Sequence, residues 1–390
     1  MNHQSESKSR LKVFLENPSK ALWSLAIPIM FGMGIQTLYN LVDMIFIGRL
    51  GGQAITGIAF NMPLFFLVLG LTMGLGTGVT AAIARFIGEN NKRQADNCAE
   101  HAVFMAIFIS ISLSSTGLLF GREILSLLGA KGEILDLGWE YLHVMCLGMP
   151  FMIFSGFFRS ILSGEGDMKF PMMVAGLGTV LNIILDPIFI FELDSFGGIG
   201  FGLGIAGAAM ATVISQLVVF FVFIVMLFFK DHSYISFNLN DFTFSTEILW
   251  DIIKVGLPAS LSMIVMAVGQ GVFNKILVHI SVETVAAYQV AGRLDMLVFL
   301  PIFSIAASLT TLIGMFYGAK EFEALRFTIR YGIISALIIT IFSSALVYIF
   351  ADQVVRFFTE DESIVLIAVN FLQIFAFAYP FIAVGITTGR

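Results

Sequence analysis

"LAIPIMFGMGIQ", residues 25–36, returns in altered form as "VGLPASLSMIVM", residues 255–266. Each is an apolar run with proline fourth, and Pro28 and Pro258 are offset by 258 − 28 = 230. "ARFIGENNKRQA" (84–95) and "GMFYGAKEFEA" (314–324) align on Gly88 and Gly318, and 318 − 88 = 230. "CLGMPFMIF" (146–154) and "AFAYPFIAV" (376–384) align on Pro150 and Pro380, again 380 − 150 = 230. Three landmarks at one spacing mark an internal duplication.

What is duplicated is a set of membrane helices. Of 390 residues, 58% are hydrophobic and only 12% charged, about half the usual charged share of a soluble domain. A helix needs roughly 20 apolar residues to cross the hydrocarbon. Ten such runs are expected, near 21–48, 54–85, 97–120, 136–162, 168–193, 205–229, 247–278, 284–316, 324–350 and 363–389. Short amphipathic pieces at 122–129 and 353–359 are expected to lie at the interface. The fold class expected is an all-α polytopic membrane protein of two parallel six-helix repeats, an arrangement common in transporters. The first lobe is residues 1–229, the linker 230–246 is cytoplasmic, and the second lobe is 247–390. A second copy would end near 229 + 230 = 459, so two of its helices are expected to be missing from this chain.

Loop cations orient the bundle. The ends on one side carry Lys8, Arg10, Lys12, Lys20, Arg85, Lys92, Arg93, Arg159, Lys169, Lys230, Lys254, Lys320, Arg326, Arg330 and Arg390, whereas those on the other carry only Arg49, Arg122, Lys131, Lys275 and Arg356. The richer side holds the N-terminus, which is expected in the cytoplasm, with the chain in the inner (plasma) membrane. No removable signal peptide is apparent. Cys98 and Cys146 read as small buried hydrophobes, because two thiols make neither a disulfide framework nor a metal signature. The five His residues form no metalloprotease motif, which argues against an intramembrane enzyme. "GLTMGLGTG" (70–78) lacks the lysine and strand context of a phosphate loop, and its small residues suit close helix packing.

A carboxyl inside a span is costly and points to function. Asp43, in "NLVDMIFIGRLGG", and Asp186, in "TVLNIILDPIFI", lie five and seven residues from the ends of their expected spans, at 48 and 193. They should therefore share one depth. Asn182 is one turn before Asp186, and Pro187 leaves the carbonyl of Ile183 without its helical donor. Gln36, Tyr39 and Asn40 stand near Asp43, Thr212 adds a hydroxyl from the sixth span, and Pro28 offers a hinge. Low dielectric penalises the bare charges, so this set suits a proton, or a sodium ion held by carboxylate, amide and hydroxyl oxygens. In the second lobe Phe273 and Asn274 stand near the position equivalent to Asp43. Arg293 and Asp295, two residues apart on the eighth span, point to nearly opposite faces. They either hold neighbouring helices or face a substrate.

"PIMFGMGIQTLYNLVDMIFIGRLGGQAITGIA" and "LSGEGDMKFPMMVAGLGTVLNIILDPIFIF" resemble the first helix and the fourth-loop and fifth-helix signature of MATE (multidrug and toxic compound extrusion) transporters. "AGAAMATVIS" and "VAAYQVAGRLDMLVFLP" are similar as well, and the carboxyls on helices 1 and 5 resemble the DinF-like branch. The resemblance implies a twelve-helix antiporter that exchanges cationic or amphipathic drugs for H+ or Na+. It implies coupling through Asp43, Asn182, Asp186 and Thr212, with Tyr39 nearby and Pro28 as the bend in helix 1. It implies a monomer in the lipid bilayer, with no cofactor and no nucleic-acid partner. The absence of a carboxyl after Pro258 disfavours a second-lobe coupling site, although Asp295 keeps one open. The alternative, a lipid-linked saccharide flippase of the same superfamily, would line its cavity with several cations, and Arg293 is the only clear intramembrane one.

Overall fold

The computed structural model describes residues 3–192, 200–230, 232–238, 242–359 and 361–389. The described residues are almost entirely helical. In chain order they form α1 (His3–Glu16), α2 (Pro18–Gly48), α3 (Gly52–Ala59), α4 (Met62–Gly88), α5 (Lys92–Leu127), α6 (Glu133–Gly164) and α7 (Lys169–Ile190). There follow α8 (Gly204–Ile224), which ends in a π-helical turn at Val225–Phe229, then α9 (Thr246–Ile280), α10 (Val282–Gly318), α11 (Phe322–Arg356), α12 (Glu362–Ala376) and α13 (Tyr379–Thr388). Among the described residues nine helices are long and apolar enough to cross a membrane, and ten if α12 and α13, bent by 54°, make one span. The ten expected runs are thus present.

Local chemistry sets the boundaries. Pro18 opens α2 behind Asn17, whose side chain accepts from the Lys20 amide at 3.0 Å. α4 and α10 stop in the same way. Asn90 and Lys320, at the repeat offset since 320 − 90 = 230, take φ of 56° and 59°. The next amides, of Asn91 and Glu321, each donate 2.9 Å back to Phe86 and Phe316. This left-handed cap occupies equivalent places in the two repeats.

Several expectations need correction. The pieces at 122–129 and 353–359 are mostly not separate, because α5 runs to Leu127 and α11 to Arg356. Their charges are paired in place: Arg122 with Asp136 at 2.5 Å, and Arg356 with Asp352 at 3.0 Å and Glu362 at 2.7 Å. The second expected span breaks at Phe60–Asn61, where the Asn61 amide donates to the carbonyls of Gly57 and Gly138, both at 3.0 Å. Pro150 lies inside unbroken α6, whereas its counterpart Pro380 opens α13 after a break. Pro28, by contrast, lies inside α2 (Pro18–Gly48), a place where proline bends a helix without ending it. The polar N-terminus holds a helix the apolar pattern did not reveal, with Phe14 buried against the main core.

Membrane helices gain little from apolar burial against one another and rely on close contact. The 70–78 stretch provides it. A Cβ on Gly74 would lie 2.1 Å from Ser260 Oγ, and one on Gly78 would lie 2.1 Å from the carbonyl oxygen of Ile252, both on α9. The repeats also cross where α4 and α10 end. A Cβ on Gly88 would lie 2.1 Å from the carbonyl oxygen of Met315, and one on Gly318 would lie 2.1 Å from that of Arg85. Since 315 − 85 = 318 − 88 = 230, the contact is reciprocal, as at a local two-fold axis. Toward the opposite end the described contacts between the repeats are sparser in kind. α2 and α10 touch at Met33–Ser304 and Thr37–Met296, at 3.9 and 4.0 Å, and a Cβ on Gly292 or Gly269 would meet nothing within 4 Å.

The linker is bound along the same end as the glycine crossing. The Glu165 carboxylate, buried behind α6, accepts from the Ser233 hydroxyl and from the amides of Tyr234 and Ile235 at 2.9 and 3.2 Å. Burial pushes this carboxyl above its ordinary value, partly offset by those hydrogen bonds and by Arg10. On α5, Asp96 accepts from the Ser236 amide at 3.0 Å, Glu100 from the Asn238 amide at 2.9 Å, and His101 Nε2 from the Ser245 amide at 2.9 Å. His232 Nε2 and Arg10 meet Asp167 Oδ2 at 3.0 and 3.6 Å.

Candidate functional site

The first repeat gathers its polar groups into one layer. Asp43 comes from α2, Asp186 and Asn182 from α7, and Thr212 from α8. The two carboxyls are close enough to interact electrostatically, and both interact with Tyr39 of α2 and Tyr141 of α6. Tyr39 lies near Thr212, whose hydroxyl donates to the Ala208 carbonyl at 3.1 Å. The Asn182 amide donates to Asp186 Oδ1 at 3.2 Å.

That bond leaves acceptor capacity unmet. Asp186 is 0% exposed, and its Oδ2 has no partner among the described residues; neither has the neighbouring Asn182 Oδ1. Buried acceptors with no donor among the described residues are expensive in a low-dielectric interior. A proton on the carboxyl or a small cation between the oxygens would satisfy them. Two neighbouring carboxylates would also repel, which favours the same uptake.

An apolar layer lies one helical turn beyond the site. Ile47, Ile190 and Ala208 sit one helical turn from Asp43, Asp186 and Thr212, and they pack with Ala54, Ile58 and Ile205. Asp43 itself is only half-buried. The apolar cluster therefore covers one end of the site, and half-buried Asp43 marks the side left uncovered.

The remaining expected residues are placed as follows. Tyr39 joins the layer, Gln36 is exposed one turn below it, and the side chain of Asn40, like that of Asn274, lies outside the described residues. Pro28 lies several turns before Asp43 on the same helix, well away from the carboxyls. Arg293 and Asp295 do point apart. Asp295 Oδ1 accepts from the hydroxyl of Tyr379, at the break between α12 and α13, while the Arg293 guanidinium lies 5.9 Å over the ring of Phe358. Neither joins the first-repeat layer. Tyr141 and Tyr379 are the participants that sequence reasoning missed. A tyrosine in an apolar helix gives no periodic signal, although Tyr141 follows Glu140 at the polar start of its span. Among the described residues no cluster of three or more His, Cys, Asp or Glu could hold a metal ion, and both cysteines are free and buried.

The MatE family model matches residues 28–188 and 258–390, so its two segments begin at Pro28 and Pro258. The chain is 29% identical to the probable multidrug resistance protein NorM of Thermotoga maritima, covering 94% of this chain and 78% of that protein. It is 30% identical to the multidrug export protein MepA of Staphylococcus aureus over 91% of this chain and 77% of that one. Among solved structures, it superposes on the crystal structure of MATE in complex with MaL6 with a TM-score of 0.89 and 35% identity, covering 97% of this chain and 84% of that chain.

Proposed function

The chain belongs to the MATE family, and we propose that it is a secondary multidrug efflux antiporter coupled to H+ or Na+ through its first-repeat polar layer. Multidrug resistance and export are what NorM and MepA are named for, and the match covers most of both proteins. The observation that carries the coupling reading is the pair of buried oxygens, Asp186 Oδ2 and Asn182 Oδ1, without a partner among the described residues and within electrostatic reach of Asp43.

In this reading the N-terminus and the linker face the cytoplasm, and the glycine crossing of α4 with α10 seals that side. The space beyond Gly292 and Gly269 then opens outward. A cation enters past half-buried Asp43 and settles between Asp186 and Asn182, with Thr212 and Tyr39 completing the polar wall. Neutralising the carboxyls removes a desolvation cost of at least a few kcal/mol and lets α2 and α7 repack. That repacking releases a cationic or amphipathic drug outward. Return of the cation to the cytoplasm follows when drug binds the inward-open cleft. Asp295 and Arg293 belong to a different wall of that cleft, and their contacts with Tyr379 and Phe358 fit a bracing role.

The test is efflux from proteoliposomes with imposed pH or Na+ gradients. Asp43→Asn and Asp186→Asn are each expected to abolish gradient-driven export while drug binding persists. If both variants exported drug with unchanged ion dependence, coupling would lie elsewhere. Comparing the two gradients in the parent protein decides the ion.

A further inference from the structure

The two repeats use one helix face in opposite ways. On α5 the face of Asp96 and Glu100 is covered by the linker, whose amides those carboxylates receive. The equivalent residues of α11 are Arg326 and Arg330, since 326 − 96 = 330 − 100 = 230. The acidic face of one repeat is thus a basic face in the other, and no described segment covers it.

Both arginines are exposed, and among the described residues neither has a hydrogen-bonding or ionic partner. Several other cations at this end are paired: Arg85 with Asp251 at 2.7 Å, Lys92 with Asp96 at 2.9 Å, and Arg10 with Asp167. Arg326 and Arg330 stand one turn apart, where like charges repel. With Ile329, Ile333 and Ile334 they line a shallow groove of about 360 Å³. Beyond it the exposed face is apolar through Ile338, Ile341, Phe342 and Ile349. No charged residue interrupts α11 between Arg330 and Asp352. At 1.5 Å per residue that is about 30 Å, the thickness of the hydrocarbon core. The arginines therefore stand at headgroup level and the isoleucines at the level of the acyl chains.

We propose that this face of α11 binds an anionic phospholipid, its phosphate between Arg326 and Arg330 and a chain along Ile333, Ile334 and Ile338. Paired guanidiniums suit a phosphate diester, and the apolar stripe beneath favours a lipid over a soluble anion. The assignment depends on neither the coupling ion nor the exported drug.

Trp23 is a reporter beside the groove, because its indole N–H donates to the Tyr331 hydroxyl at 3.1 Å. With Trp139→Phe and Trp250→Phe it becomes the sole tryptophan of the chain's three. The whole chain is placed in phosphatidylcholine vesicles, and brominated phosphatidylglycerol is compared with brominated phosphatidylcholine as quencher of Trp23. An electrostatic gain of about fivefold per cation at the surface predicts some 25-fold preference for the anionic lipid. The preference should collapse in R326Q/R330Q and survive in large part in R326K/R330K. Equal quenching by the two lipids, or a preference unchanged in R326Q/R330Q, overturns the proposal. So does loss of the preference on adding inorganic phosphate, which would make the groove a site for free anions. A polypeptide that co-purifies and must be removed before quenching appears would assign the face to a protein instead.

Discussion

Replacing Gly88 and Gly318 by alanine should loosen the end of the molecule where the repeats cross. Each new Cβ would sit 2.1 Å from a backbone carbonyl oxygen, of Met315 and Arg85 respectively. Ordinary contact begins near 3.4 Å, so both positions fall far inside it. The obstructing atoms are backbone and cannot rotate away, so α4 and α10 must separate. Overpacking of this kind costs roughly 1–3 kcal/mol. The opposing helix-propensity gain of alanine over glycine is at most about 1 kcal/mol, and less at a helix end. The two clashes share one crossing and will not add fully. A net loss of about 1.5–3 kcal/mol would cut the sealed population about 10- to 150-fold relative to a state open at this end. Spin labels at Arg93→Cys and Glu323→Cys, equivalent exposed positions beyond the crossing, report the separation, while Cys98 and Cys146 are buried. The expected outcome is a longer-distance population in G88A/G318A and none in Gly269→Ala, where a Cβ meets open space. Distance distributions that superpose for the parent and both variants would refute the reasoning.

Other outcomes follow from single contacts. Tyr379→Phe strips Asp295 of its side-chain donor and should lower thermal stability by about 1–3 kcal/mol, with Asp295→Asn in the same chain recovering part of the loss. Asn61→Ala removes the amide that joins Gly57 to Gly138, and a similar loss is expected in the same assay. Glu165 is held above its ordinary value, so the folded state binds its proton more tightly than the unfolded one. Its contribution is present in full at low pH and lost as pH rises through the folded value. Hydrogen exchange at the Tyr234 and Ile235 amides should therefore lose protection with rising pH beyond the intrinsic rate change, and Glu165→Gln should remove that excess dependence.

The repeat was readable because its marks are residues with no substitutes. Prolines and glycines at a constant offset reflect backbone needs, and the caps at Asn90 and Lys320 show one such need met twice. Spans were readable from apolar length alone. Breaks were harder. Phe377–Ala378 carries no turn residue and Phe60–Asn61 only the asparagine, so neighbouring helices decide both. The carboxyls announced themselves by their cost, and Asn182 by its spacing from Asp186. Tyr141 and Tyr379 could not be found that way, since their role depends on which helices adjoin. Nor did polarity reveal α1, which packs buried Phe14 and partly buried Leu11 and Leu15 against the main core.

The bound linker has a mechanical consequence. Free, the stretch from 230 to 246 would behave as a coil with a reach of roughly 20–25 Å, a loose leash between the repeats. Fastened at Glu165, Asp96, Glu100 and finally at Ser245, it has almost no slack where α9 begins. The second repeat is then joined to the first at a pivot rather than by a tether. The His101–Ser245 contact holds the start of α9 against α5, so a small tilt there becomes a wide swing at the far end of a 35-residue helix.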